Sequence, residues 1–212
     1  MVSTQKEETR VRLLEAARKL LLEHGFHRVS LDDIAEAAGV SRQAVYKSHF
    51  TSKANLLLEL VRYVHVAENL DQFTAPVFAA TTGVAKLHAT IAAIIRIEVR
   101  VHDLAVMLSA AAMSDPGAEA AWRDRLHIKR TVLTAAIAQL HSERRLSPAW
   151  QPEAAVDLLM AMISVDTYHS LVSERGWEPE AMIDRLWSIC QQCLIVEPEA
   201  CAANAKTARK TG

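Results

Sequence analysis

The 212 residues carry 24 Lys and Arg against 25 Asp and Glu, half of them are hydrophobic, and only six glycines and six prolines interrupt them. Such a chain, rich in Ala, Leu, Val and Ile, points to an all-α protein with core enough for one domain or two small ones. A net charge of −1 excludes a polycation, so contact with nucleic acid must be made by one small surface.

In chain order, MVSTQKEETR is polar and has no apolar core segment, which predicts no signal peptide and a loose arm over residues 1–9. From about 8 to 24, Val11, Leu14, Ala17 and Leu21 share a helical face that Leu13, Ala16 and Leu20 broaden. Gly25 stops this helix, and Phe26 and Val29 pack back on it. Next comes SLDDIAEAAGVSRQAVYKSHFTSK, residues 30–53. Ser30 is an N-cap with Asp33 three residues on, as in a capping box. Leu31, Ile34, Ala35 and Ala38 then recur at helical spacing until Gly39, where a positive φ is wanted. Ser41 caps a second short helix anchored by Val45 and Tyr46. Two short helices about a glycine turn are the helix-turn-helix pattern.

The charges agree with that pattern. Between Gly39 and Lys53 stand Arg42, Lys47, Lys53 and His49, with no acid among them. Arg42 and Gln43 fall in the first turn of the second helix, where base edges are read. Lys53 opens the next helix, where a cation opposes the helix dipole unless a DNA phosphate reverses the sign. Residues 1–53 hold nine Lys and Arg against seven acids, and residues 54–212 hold fifteen against eighteen.

Residues 10–62 resemble the DNA-binding domain of the tetracycline-repressor (TetR) family of bacterial transcription regulators. The matching pieces are LLEAARKLLLEHGF (13–26), SLDDIAEAAGVS (30–41) and the V-Y, then H-F-x-S-K, of 45–53. The family has one residue between the tyrosine and the H-F pair, whereas Lys47 and Ser48 both stand here, at the turn out of the reading helix. The resemblance implies a three-helix head (1–53) whose DNA-binding residues are Ser30, Ser41, Arg42, Gln43, Tyr46, Lys47, His49 and Lys53. It also implies a C-terminal helical bundle (54–197) for ligand binding and dimerisation.

Beyond the head, a long helix from Thr51–Lys53 runs through LLLELVRYVHVAENL and joins head to body without a flexible linker. Residues 74–83 read as a break, followed by helices over about 84–101 and 103–113. Asp115-Pro116 opens a helix to about 144. LSPAWQP is a loop, helices over about 152–174 and from Pro179 to near Val196 follow, and the polar tail 198–212 reads as disordered. The last two helices are apolar over most of their circumference, so each packs on two sides. One side is the subunit's own core. The other, with Leu158, Met162, Val165, Met182, Leu186, Ile189, Cys190 and Cys193, is expected to meet a second copy in a four-helix interface. The alternative is a helix fully enclosed within one subunit.

No nucleotide-binding, nucleophile-elbow or zinc-protease motif occurs, so neither an enzyme nor a cofactor is expected. Cys190-x-x-Cys193 lacks a second pair for zinc and a βαβ context for redox chemistry, which favours buried interface thiols over a metal site. All three cysteines lie from 190 onward, and the apolar stretch around Ala89–Ile95 is too short to span a bilayer, so the compartment expected is the cytoplasm and no membrane partner. Bundles bind small molecules between helices, and Ile94, Glu98, His102, Met107, Trp122, Met160, Asp166, Tyr168 and His169 are the candidates to line such a pocket. With Glu98 and Asp166 as its acids, the effector would be mostly apolar and could be cationic. The function expected is a homodimeric repressor of an inverted-repeat, double-stranded operator, released by that effector. The alternatives are an effector-independent repressor, or a bundle enzyme or sequestering protein with a relic head.

Overall fold

The computed structural model describes residues 2–48, 50 and 52–197, with side chains from residue 5 onward except those of 46–48 and 54. Among these residues the helices are α1 (Val2–His24), α2 (Leu31–Ala37), α3 (Arg42–Ser48), α4 (Lys53–Ala67), α5 (Asp71–Ala79), α6 (Gly83–Ala112), α7 (Pro116–Ser142), α8 (Pro152–Met162), α9 (Val165–Tyr168) and α10 (Pro179–Cys193). Apart from one isolated antiparallel bridge, Leu146 to Ile195, they contain no β-structure, as the composition requires. The chain divides into two compact units, Met1–Leu70 with Val101–Leu126, and Asp71–Arg100 with His127–Gly212.

In the first unit, Leu14, Ala17 and Leu21 are buried as their spacing demands, together with Leu13. Ile34 and Ala35 of α2, Val45 of α3, and Leu56, Leu57, Leu60 and Val64 of α4 are buried in the same unit. Polar contacts tie α1 to α4 at its edge. Tyr63 donates to Glu15 (2.9 Å), Arg18 pairs with Glu68 (2.8 Å), and Arg10 pairs with Glu59. Of the loose arm expected over 1–9, residues 2–9 are instead the first turns of α1. Nothing in that stretch breaks a helix, and Arg10 pairs with Glu7 one turn back (3.0 Å). At the start of α7, Asp115 accepts from the N–H groups of Gly117 (2.9 Å) and Ala118 (2.8 Å), ahead of Pro116.

The second unit is a helical bundle. Leu87, Ile91 and Ile95 of α6, Leu133, Ile137 and Leu140 of α7, Val156 and Leu159 of α8, and Met182, Ile183 and Leu186 of α10 share one core. The start of α6 lies against the end of α7. A Cβ on Gly83 would stand 2.5 Å from both the Cα and the N of Leu140, so only glycine permits this approach. The Gly83 N–H donates to both carboxylate oxygens of Glu143 (2.8 and 2.9 Å). Arg96 and Glu180 form a two-pronged pair (2.8 and 2.9 Å) joining α6 to α10.

Three expected boundaries change. Residues 74–79 are helical as part of α5, with Pro76 inside it, and the break shortens to 80–82. The two helices expected over 84–101 and 103–113 are one, because His102 and Asp103 are polar but do not stop a helix. The helix expected over 152–174 is broken at Ile163. Ser164 accepts from Thr167 N (3.1 Å) to start α9 afresh, and a wider π-type turn, His169–Glu174, follows. Buried Lys129 reaches the break and donates to the Ile163 carbonyl (2.9 Å).

Candidate nucleic-acid interface

Two caps and one turn set the geometry of the head. The Ser30 hydroxyl accepts from Asp33 N (3.2 Å), and the Asp33 carboxylate accepts from Ser30 N and from the Ser30 hydroxyl (both 2.7 Å). Those bonds hold the Asp33 carboxyl below the usual aspartate range. The turn that closes α2 is completed at Gly39 (φ +64°), where Gly39 N donates to Glu36 O (3.0 Å) and Val40 N to Ala35 O (2.9 Å). Nothing lies within 4 Å of the place a Cβ would take there, so the backbone and not the space requires glycine. Ser41 then accepts from Ala44 N (3.3 Å) and α3 begins.

α3 is held by its inner face and offers its outer one. Val45 and Phe50 are fully buried, and Phe50 N donates to Val45 O (2.9 Å), closing the end of the helix. Phe50 thus reaches the core despite the additional residue at Lys47-Ser48. Arg42 and Gln43 are exposed on the first turn. Arg42 pairs with Asp32 of α2, a partner ten residues away that no local spacing revealed. The backbone places Tyr46 and Lys47 on α3, while their side chains and all of His49 lie outside the described residues.

Lys53 departs from expectation. It is half-buried, its ammonium stands 3.6 Å from the centre of the Phe26 ring, and it donates to the Phe26 carbonyl. Partial burial lowers its pKa, against the opposing pull of Asp115. The solvent-facing lysine that a phosphate would need is thus turned into its own domain. Beside it, His27 Nε2 and the Ser114 hydroxyl are 3.1 Å apart, so the turn between α6 and α7 also bonds to the head's 3-10 turn at Phe26–Arg28.

The residues proposed for a ligand are divided between the two units. His102, Met107 and Trp122 belong to the first unit and are half-buried, and the others belong to the second. There Ile94 is buried, Met160 is half-buried, and Asp166 and His169 are exposed, so Asp166 is no interior acid. Glu98 and Tyr168 are buried, and burial first, then the Glu98 charge, raises the Tyr168 pKa. A cavity of about 160 Å³ does exist in this unit, walled by Val77 and Phe78 of α5, Ile94 and Ile97 of α6, and Val132 of α7. Ile94 of these is among the residues singled out from sequence.

The proposed dimer residues also divide. Val165, Met182, Leu186 and Cys190 are buried within their own subunit and offer no surface to a partner. Ile189 and Cys193 are exposed, and Leu158 and Met162 half-buried. Apolar periodicity locates the faces of α10 but not which face the chain covers itself. Burial, and secondarily Cys193, pushes the Cys190 thiol up to about 12. No group of three His, Cys, Asp or Glu able to hold a metal occurs among the described residues, and no single helix there is long and apolar enough to cross a membrane.

Comparison with known proteins agrees with this geometry. The family model described as bacterial regulatory proteins, tetR family, matches residues 13–60. The HTH-type transcriptional regulator TtgR of Pseudomonas putida is 43% identical over 61 residues, which are 29% of this chain and 29% of that protein. The match to this relative thus spans under a third of its length. Among solved structures, a transcriptional regulator from Saccharomonospora viridis in complex with choline superposes with a TM-score of 0.71 at 20% identity, over 90% of this chain and 100% of that one. Native NalD of Pseudomonas aeruginosa, the secondary repressor of the MexAB-OprM multidrug efflux pump, gives 0.69 at 24% identity, over 92% and 99%. At such identities the likeness is one of fold. Residues 13–60 thus carry the sequence signature of the tetR family of bacterial regulatory proteins, within an all-helical fold that solved transcriptional regulators share.

Proposed function

We propose that this chain is a homodimeric transcriptional repressor acting in the cytoplasm, whose grip on an inverted-repeat operator is loosened by a small, mostly apolar molecule. The observation that carries the reading is α3, fixed from within by buried Val45 and Phe50 while Arg42 and Gln43 stand exposed on its first turn. Arginine and glutamine there suit bidentate contacts to guanine and adenine. The ion pair to Asp32 holds Arg42 in place at little cost to its release, since exposed pairs contribute about 0–1 kcal/mol. Repression, as the action of the chain, draws support from NalD.

Two copies give the operator its two-fold symmetry, with half-sites roughly 10 base pairs or more apart. Ile189 and Cys193 of α10, with Leu158 and Met162 of α8, are the surface left for the second copy. The apolar cavity supports an effector, and α6 and α7, which contribute residues to both units, are the elements that would carry its effect. A coupling of about 1–3 kcal/mol between ligand and DNA suffices to switch occupancy. A mobility-shift assay with the DNA upstream of the chain's own gene tests the proposal. A retarded band and a two-fold symmetric footprint are expected. The absence of retardation on any fragment at micromolar protein would overturn it.

A further inference from the structure

The cavity between α5, α6 and α7 has a chemistry of its own, and it differs from the one the sequence suggests. Its walls are apolar except for Thr74, Thr90 and Lys86. Thr74 donates its hydroxyl proton to Asp71 O (3.0 Å), and buried Thr90 donates its own to Lys86 O (2.8 Å). Both hydroxyls are thereby committed as donors within their own helices. Lys86 is half-buried and is the one charged side chain on the wall, where no carboxylate stands among the described residues. A cationic guest would meet like charge and no counter-ion. An anionic guest would meet a cation, and a hydrogen bond between a carboxylate and an ammonium is charge-assisted and strong.

Size narrows the class further. A cavity of roughly 150 Å³ with aliphatic and aromatic walls is enough for benzene, and this one has about 160 Å³. Exposed Phe78 lines it, so the cavity opens to solvent beside that ring. We propose that this cavity binds a small aromatic or branched-chain carboxylate, its apolar body inside and its carboxylate on Lys86. The inference rests on the effector reading above and gives that effector a charge, a size and a place.

Three probes with one ring and different heads test it on the purified full chain by titration calorimetry at pH 7: benzoate, benzyl alcohol and benzylamine. Benzoate is expected to bind at least about tenfold more tightly than benzyl alcohol, as one hydrogen bond to a charged group gives. Benzylamine is expected not to bind. Lys86→Met, at a half-buried position that tolerates an apolar chain, should bring benzoate down to the level of benzyl alcohol. Ala93→Leu, which fills the wall, should remove both. Equal binding of all three probes, no binding of any, or benzoate binding unchanged in Lys86→Met overturns the proposal. A parallel mobility shift separates the two readings. A retarded operator with no benzoate binding overturns the cavity and leaves repression standing. Benzoate binding that leaves the operator retarded bears out the cavity and overturns ligand-controlled release.

Discussion

Lys53 separates a lysine that holds the head together from one that holds DNA. In Lys53→Met the stem keeps its packing, while the ammonium over Phe26 and the bond to the Phe26 carbonyl are lost. A partly desolvated cation–π contact contributes about 0.5–2 kcal/mol. A hydrogen bond to a half-buried carbonyl adds about 1 kcal/mol. Removing a cation from the first turn of α4 returns a few tenths of a kcal/mol. The net loss is thus roughly 1–2.5 kcal/mol, or about 2–10 °C in Tm for a chain of this size. Thermal unfolding followed by circular dichroism reads that loss directly. Operator affinity is then measured from low to high salt at a temperature where both proteins are folded. If Lys53 stays on Phe26, the slope of log affinity against log salt is unchanged. If it leaves to neutralise a phosphate, the slope flattens by about 0.9. A flattened slope with an unchanged Tm would refute the structural reading of Lys53.

Arg42→Ala and Gln43→Ala should each weaken operator binding by about 1–3 kcal/mol and relax base preference at one position, with Tm nearly unchanged; competition with single-base operator variants checks this. Gly83→Ala should cost about 1–3 kcal/mol in denaturant unfolding, because its methyl would meet the Leu140 backbone at 2.5 Å and α6 and α7 must part. Ile189→Glu should leave the subunit folded and give a monomer in sedimentation, whereas Leu186→Glu, placing a charge in the subunit's own core, should lose the far-UV signal at lower temperature. In a Cys193→Ser, Cys201→Ser background, Cys190 should resist an aromatic disulfide reagent at pH 8 until denaturant is added. Its buried thiol, with a pKa of about 12, has almost no thiolate in the native state.

The head was legible in the sequence because its determinants are local. Ser30 and Asp33 are three residues apart and make their capping box across that interval. Gly39 marks a left-handed turn that only backbone freedom explains, and the spacing of Leu14, Ala17 and Leu21 names the buried face of α1 without knowledge of its partner. Caps, turns and periodicity act over one or two helical turns, so residue order alone carries them. What joins distant segments was not legible. Arg42 meeting Asp32, Lys53 folding onto Phe26, Lys129 plugging the break at Ile163 and Gly83 touching Leu140 each depend on which helices become neighbours. The same limit misplaced Leu186 and Cys190, since an apolar face looks alike whether the chain or a second copy covers it. The cavity emerged only from the packing of three helices, where Lys86, unremarked as a surface lysine, became the charge that defines it. Hydrophobicity is non-directional and fixes which faces are buried; tertiary packing alone decides against what.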